Sequence, residues 1–202
     1  MRKAIIALAA GTFVALAAAA LYLTLQQPDE PVSPATVNIH GSAIGGPFTL
    51  TDHTGKRVTS AELFDGPTLI YFGYTFCPDV CPVDVAVMAS AVDLLAERGF
   101  EVTPVFITVD PARDDPEAMA YYADAMHPTM IGLTGTEAEI KAVADAYKVY
   151  YERVNAPESQ AGYLVNHTTF TYMVMPDGVR AAFRDGFPPE EIAGEVARIL
   201  SR

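Results

Sequence analysis

The sequence predicts an α/β domain, a central mixed sheet flanked by helices, preceded by one transmembrane helix. Three observations carry that expectation. Thr68–Tyr74 (T-L-I-Y-F-G-Y) and Val102–Val109 (V-T-P-V-F-I-T-V) are near-continuous apolar runs of strand length, the pattern of strands buried on both faces. Stretches with helical spacing alternate with such runs, and 202 residues, half of them apolar, suit one globular core plus an extra segment. That segment is Ala4–Leu25, 22 residues without a charge, about 33 Å as a helix against a hydrocarbon core of roughly 30 Å.

Residues 1–25 are therefore expected to form a membrane anchor. Arg2 and Lys3 would stay on the cytoplasmic side, so the remaining chain is translocated. A cleaved signal peptide competes with this reading, since Ala18-Ala19-Ala20 offers an A-x-A site. The apolar run continues past it through Leu21–Leu25, which favours the uncleaved anchor. The short basic start suggests a bacterial setting: a single-pass inner-membrane protein with its C-terminal domain in the periplasm, or outside the cell membrane. Such a compartment is oxidising. Residues 26–44 read as a linker and approach to the domain, because Gln26–Pro34 has three prolines in nine residues and favours an extended spacer.

The domain proper is expected over residues 45–202. It opens with a short hairpin whose turn is His53–Lys56. After the strand Thr68–Tyr74 comes a helix over Val83–Ala96, with Val83, Ala86, Val87, Met88, Val92, Leu94 and Leu95 as its apolar face. The strand Val102–Val109 follows. A helix from Pro116 to Ala125 has Asp115 as cap and proline at its first position, and another runs from Thr136 to Tyr147. Met130–Leu133 lies between them as a short strand. Glu152–Asn166 reads as a long irregular segment. Thr169–Met175 and Val179–Phe183 form a hairpin around Pro176-Asp177-Gly178, and Pro188–Leu200 closes the chain as an amphipathic helix. The order β-α-β-α-β-α-β-β-α, with a cysteine pair between the first buried strand and its helix, is a thioredoxin-like arrangement.

Charge excludes one class of function. Beyond the anchor the chain carries 25 acids against 11 bases, a poor partner for phosphate backbones, so no nucleic-acid binding is expected. Chemistry concentrates instead at Cys77 and Cys81, the only cysteines, each followed by proline. Proline disfavours the helical conformation in the residue before it, which places Cys81 at the N-cap, Pro82 at the first helical position and Asp84 at the third. Cys77 then folds back from the preceding loop. Thiols at a helix N-terminus have the thiolate favoured, and the thiolate is both nucleophile and metal ligand. A purely structural disulfide here would close a five-residue loop and contribute only roughly 2 kcal/mol.

Several motifs together carry a resemblance: F-G-Y-T-F-C-P-D-V-C-P, I-T-V-D-P-A-R-D, I-G-L-T-G-T, A-Y-K-V-Y-Y and V-N-H-T-T-F-T-Y-M-V-M-P-D-G. They resemble the Sco/SenC family of membrane-anchored thioredoxin-fold copper proteins, over roughly Phe48 to Leu200. The resemblance implies that Cys77, Cys81 and His167 bind copper, Cu(I) or Cu(II), one per chain. It also implies a copper chaperone that delivers the metal to the dinuclear copper site of a cytochrome c oxidase subunit, or reduces that subunit's thiols. Other periplasmic copper chaperones or thiol reductases would be further partners. The donor chemistry agrees, since soft sulfurs hold Cu(I) and an added nitrogen suits Cu(II). Zinc normally wants a fourth ligand, and none is evident.

The other histidines, His40, His53 and His127, read as surface or helix-end structure. Asp79 between the cysteines reads as a solvated turn residue. Asp110, at the carboxyl edge of a buried strand, is a candidate for supporting the metal loop, while Arg113 and Asp114 are expected to pair locally. Asn166 stands where the family commonly has an acid before the histidine, and a neutral amide cannot supply the same charge beside the metal. Two alternatives come from other classes: a membrane-anchored thiol-disulfide oxidoreductase acting on exported proteins without metal, with Cys77 and Cys81 as redox-active thiols, and a peroxide-reducing thiol enzyme. The C-x-x-x-C spacing and His167 favour copper over the first. The second lacks a separate resolving cysteine.

Overall fold

Thr68–Gly73, the run that follows Pro67, is buried at every residue and forms the middle of the main sheet. The computed structural model describes residues 36–159 and 161–201. Within them the strands are β1 (Thr36–Asn38), β2 (Thr49–Asp52), β3 (Arg57–Thr59), β4 (Thr68–Gly73), β5 (Thr103–Thr108), β6 (Ile131–Thr134), β7 (Tyr151–Asn155), β8 (Tyr163–His167), β9 (Thr171–Met175) and β10 (Gly178–Phe183). The helices are α1 (Ser60–Leu63), α2 (Val80–Glu97), α3 (Pro116–Met126), α4 (Glu137–Tyr147) and α5 (Pro189–Leu200). Eight strands form one sheet in the order β1-β10-β9-β4-β5-β6-β2-β3. Its centre, β4-β5-β6, is parallel and the other pairs are antiparallel, so the sheet is mixed as expected.

Local chemistry explains the boundaries. Asp115 accepts the Ala118 N–H at 2.9 Å with Pro116 at the first helical position of α3. Thr136 and Glu139 form a reciprocal capping box at α4, which ends at Lys148 in the left-handed conformation, φ 58°. Behind β4, Phe72, Tyr147 and Tyr172 meet with ring centroids 5.4 to 6.0 Å apart and join α4 to the sheet core. Offset and edge-to-face contacts of this kind stabilise beyond the area they bury.

Four expectations need correction. Glu152–Asn166 is not irregular: β7 and β8 pair antiparallel, Tyr151 opposite His167 through Asn155 opposite Tyr163, as a separate two-stranded sheet. The alternation Y-E-R-V-N lacks a buried face, and only Val165 of β8 is buried, which hid the strands from a hydropathy reading. The sheet also begins before Gly45, because β1 lies inside the supposed linker and pairs with β10.

The third correction concerns α2. It starts at Val80 with Asp79 as N-cap, so Cys81 and Pro82 lie inside the first turn instead of at its entrance. The first N–H groups of a helix have no intrahelical acceptor, and the residue four before Pro82 is Pro78, outside the helix, so the proline ring costs neither a bond nor a clash. The fourth is the buried face of α2, which is Cys81, Asp84, Val85, Met88, Ala89, Ala91, Val92 and Leu95. Val83 is 61% exposed and Ala86 points outward. The helix packs against α5 as well as the sheet, so its apolar arc is wider and rotated from the one the spacing suggested. No helix among the described residues is long and apolar enough to cross a membrane, and the expected anchor at 1–25 lies outside them.

Candidate metal centre

Ligands of open α/β sheets bind outside the carboxyl ends of the strands, and the loops after the parallel pair β4 and β5 emerge side by side at that edge. The first loop carries Cys77. Its N–H donates to the Tyr74 carbonyl at 3.2 Å, turning the chain back toward the first turn of α2. The buried Asp114, from the second loop, fastens it: Thr75 donates to Asp114 from its backbone N–H (3.0 Å) and hydroxyl (2.5 Å), and the Thr108 hydroxyl adds a third bond at 2.6 Å. Burial nevertheless pushes the Asp114 carboxyl above its ordinary value, against those three donors. Asp114 and Arg113 therefore do not pair with each other. Arg113 bonds Asp110 instead.

His167 is the last residue of β8 and comes within 3.0 Å of the Cys81 Sγ through its Nε2. Its Nδ1 lies 2.9 Å from the Thr168 carbonyl. A carbonyl can only accept, so Nδ1 carries the proton and Nε2 presents a lone pair to the sulfurs. Two tyrosine rings, Tyr71 and Tyr74, stand edge-on to the imidazole with centroids 6.1 and 6.0 Å away. Cys77 Sγ, Cys81 Sγ and a His167 ring nitrogen all lie within 4.8 Å of one another, close enough to hold one ion.

Cys77 is half-buried and Cys81 is buried. Hydrogen bonding from the Cys81 thiol, and then from the backbone N–H groups of Asp79 and Cys81, pulls the Cys77 thiol far below its ordinary range against some burial, with the neighbouring His167 acting in the same direction. Cys81 is pushed up by donating to Cys77 and by its own burial. The two thiols titrate as a coupled pair, with the thiolate favoured at Cys77 and disfavoured at Cys81. Gly73 leaves room for this arrangement: a Cβ there would stand 3.1 Å from the Cys81 sulfur and 2.9 Å from the Phe106 ring.

The remaining candidates fall elsewhere. His40 is exposed, His53 accepts the Gly132 N–H at 3.0 Å, and His127 is buried at the end of α3 between Asp93 and Thr129. None joins the donor cluster. Asp79 is exposed, and Asn166 is exposed on β8 opposite Glu152, its side chain on the other face of the strand from His167. Sequence reasoning passed over Tyr71 and Tyr74, and also Asp84, whose carboxylate accepts the Tyr71 hydroxyl at 2.9 Å. Tyr71 and Tyr74 merged into an apolar run, and Asp84 was read only as a helix-dipole residue.

A mixed α/β sheet with a thiol pair at a helix start and an imidazole brought in by a neighbouring hairpin defines a thioredoxin-like protein equipped to hold a soft metal ion. The chain belongs to the SCO1/SenC family, whose sequence pattern matches residues 37–201. Protein SenC of Rhodobacter capsulatus is 48% identical over 161 residues, covering 78% of this chain and 71% of that one. Arabidopsis thaliana ScoI, solved with copper bound, superposes with a TM-score of 0.76 at 38% identity, over 78% of this chain and 98% of that one. BsSco, described as a member of the Sco family of cytochrome c oxidase assembly proteins with a disulfide switch, gives 0.61 at 26% identity, over 86% and 97% of the two chains.

Proposed function

We propose that this protein is a copper-binding assembly factor for cytochrome c oxidase, holding one copper through Cys77, Cys81 and His167 and passing it to the oxidase subunit that carries the dinuclear copper site. The observation that carries this reading is the convergence of two sulfurs and one imidazole nitrogen within 4.8 Å. Two thiolates satisfy Cu(I), and the nitrogen makes the site suitable for Cu(II). Copper is the cargo, and the half-buried Cys77 leaves a path for its departure. The copper-bound relative supports the assignment. In this reading the domain works on the outer side of a bacterial inner membrane, held there by residues 1–25.

A second reading, thiol-disulfide exchange, is favoured by the adjacency of the two sulfurs and the stabilised thiolate of Cys77. A Cys77 thiolate attacks a substrate disulfide and releases one thiolate, then the deprotonated Cys81 displaces the other. The substrate gains two electrons as two thiols, and the protein is left as the Cys77–Cys81 disulfide. The disulfide switch described for BsSco bears on this reading.

The test is anaerobic titration of the reduced protein with Cu(I) and, separately, Cu(II). One copper per chain is expected, with tight binding abolished by alanine at Cys77 or Cys81. His167→Ala should weaken Cu(II) far more than Cu(I). Stoichiometric tight binding by the double cysteine variant would overturn the copper assignment. Normal oxidase assembly in cells whose His167→Ala protein has lost Cu(II) binding would favour thiol exchange.

A further inference from the structure

His167 reaches the cysteines from a hairpin that pairs with no strand of the main sheet. Something other than a β-ladder must therefore fix it. At its base, Thr168 and Tyr150 exchange bonds, Thr168 N–H to the Tyr150 carbonyl at 2.9 Å and Tyr150 N–H to the Thr168 hydroxyl at 3.0 Å. The opposite end of β8 is held by a single carboxylate. Asp110 is fully buried and accepts the Tyr163 hydroxyl at 2.9 and 3.0 Å, Arg153 Nη2 at 3.2 Å and Arg113 Nε at 2.5 Å. Arg153 lies on β7 and Tyr163 on β8, so both strands converge on this one group.

Arg113 extends the node in two directions. It donates to the carbonyls of Ala161 and Tyr163 at 3.1 and 3.2 Å, and its guanidinium lies 3.7 Å over the Tyr163 ring. It also lies 5.1 Å from the Phe76 ring and 5.7 Å from that of Tyr74, the residues that lead into Cys77. One buried ion pair therefore touches the loop bearing the first sulfur and the hairpin bearing the nitrogen.

We infer that Asp110 is a positioning residue for His167: with Arg113 and Tyr163 it fixes the far end of β8, so that the imidazole stands at the cysteines before any metal arrives. This inference rests on the copper reading for its consequence, but its geometry stands apart from it. A strand held at both ends has few ways to swing, whereas one held at Tyr150 and Thr168 and by the buried Val165, with its Tyr163 end released, has more. A preformed nitrogen donor matters most to Cu(II), because Cu(I) is satisfied by the two sulfurs.

The test compares Asp110→Asn and Tyr163→Phe with the native domain in three measurements. Tyr163→Phe keeps the ring under Arg113 and removes only the hydroxyl, which guards against a simple failure of Asp110→Asn to fold. In the metal-free protein, backbone amides of residues 151–168 should exchange faster with solvent while those of β4 and β5 do not. Cu(II) affinity should fall about 10- to 100-fold in Asp110→Asn, as for other residues that orient a ligating histidine, and Cu(I) affinity should change little. Combined with His167→Ala, Asp110→Asn should cause no further loss of Cu(II) binding, the non-additivity expected of groups acting through one another. Unchanged exchange in both variants, equal losses for the two copper ions, or additive effects in the double variant would overturn the inference. Failure of the native domain to bind copper would count against the proposed function alone, since the exchange measurement still decides the positioning role.

Discussion

Asp84 shows how much one side chain at this site differs from its ordinary behaviour. It is only 8% exposed, and burial raises its carboxyl above the usual 3.8, with Asp185 acting in the same direction and the Tyr71 hydroxyl and His167 acting against it. An acid whose folded value lies above its unfolded value holds a proton more tightly in the native state. Native stability then falls as pH rises from about 3.8 through the raised folded value, and the penalty is fully present above that. Asp84→Asn keeps an acceptor for Tyr71 and removes the ionisation. Urea denaturation should therefore find the variant gaining stability relative to the native domain between pH 4 and neutrality. A native-like pH slope in the variant would show that the Asp84 carboxyl does not carry this linkage. Cys77, Cys81 and His167 were all legible as candidates from their residue types and motif context. Asp110 was legible as a supporting candidate from its place at the carboxyl edge of β5, but its partners Tyr163 and Arg153, 53 and 43 positions later, were not, and Tyr71 looks like any strand residue.

Elements were legible in proportion to how strongly their own sequence marks them. The strands β4 and β5 announce themselves by continuous apolarity, and α3 and α4 by a capping residue before a periodic run. The hairpin β7-β8 has neither mark, since its strands are stabilised by pairing with each other and by polar ties to Asp110. The start of α2 was displaced by reading Pro82 through its local preference alone, when the free N–H groups of the first turn tolerate it one or two residues further in. Where local chemistry does decide, its contribution can be measured. Thr136 accepts the Glu139 N–H at 3.3 Å, and Glu139 returns a bond to the Thr136 N–H at 2.8 Å. Thr136→Ala removes the first and strands a donor at the start of α4, so thermal or urea denaturation should show a loss of about 1 kcal/mol. None of the three donors lies on α4, so copper stoichiometry should be unchanged, and a loss of binding under conditions where the variant stays folded would tie α4 to the site.

At the scale of the whole molecule the distribution of charge makes the proposed membrane attachment testable. The chain beyond Leu25 carries 25 acids against 11 bases, so its surface is repelled by anionic lipid and has no means of adhering to a bilayer by charge. Any attachment to a bilayer is then expected to come from the 22 uncharged residues Ala4–Leu25, because burial of such a run in hydrocarbon would be insensitive to salt. This separates the two readings of the N-terminus. If the segment is an anchor, the mature protein begins near Met1, stays with membranes through a high-salt wash and leaves them only with detergent. If it is a signal peptide, mature protein begins near Leu21 and appears in the soluble periplasmic fraction. A variant beginning at Gln26 and exported by an unrelated signal sequence should be soluble at any ionic strength while binding copper as the native domain does, because Cys77, Cys81 and His167 converge through elements that all lie beyond residue 48. Membrane retention of that variant would mean that a part of the domain, or a partner bound to it, supplies the attachment, and the anchor reading would fall.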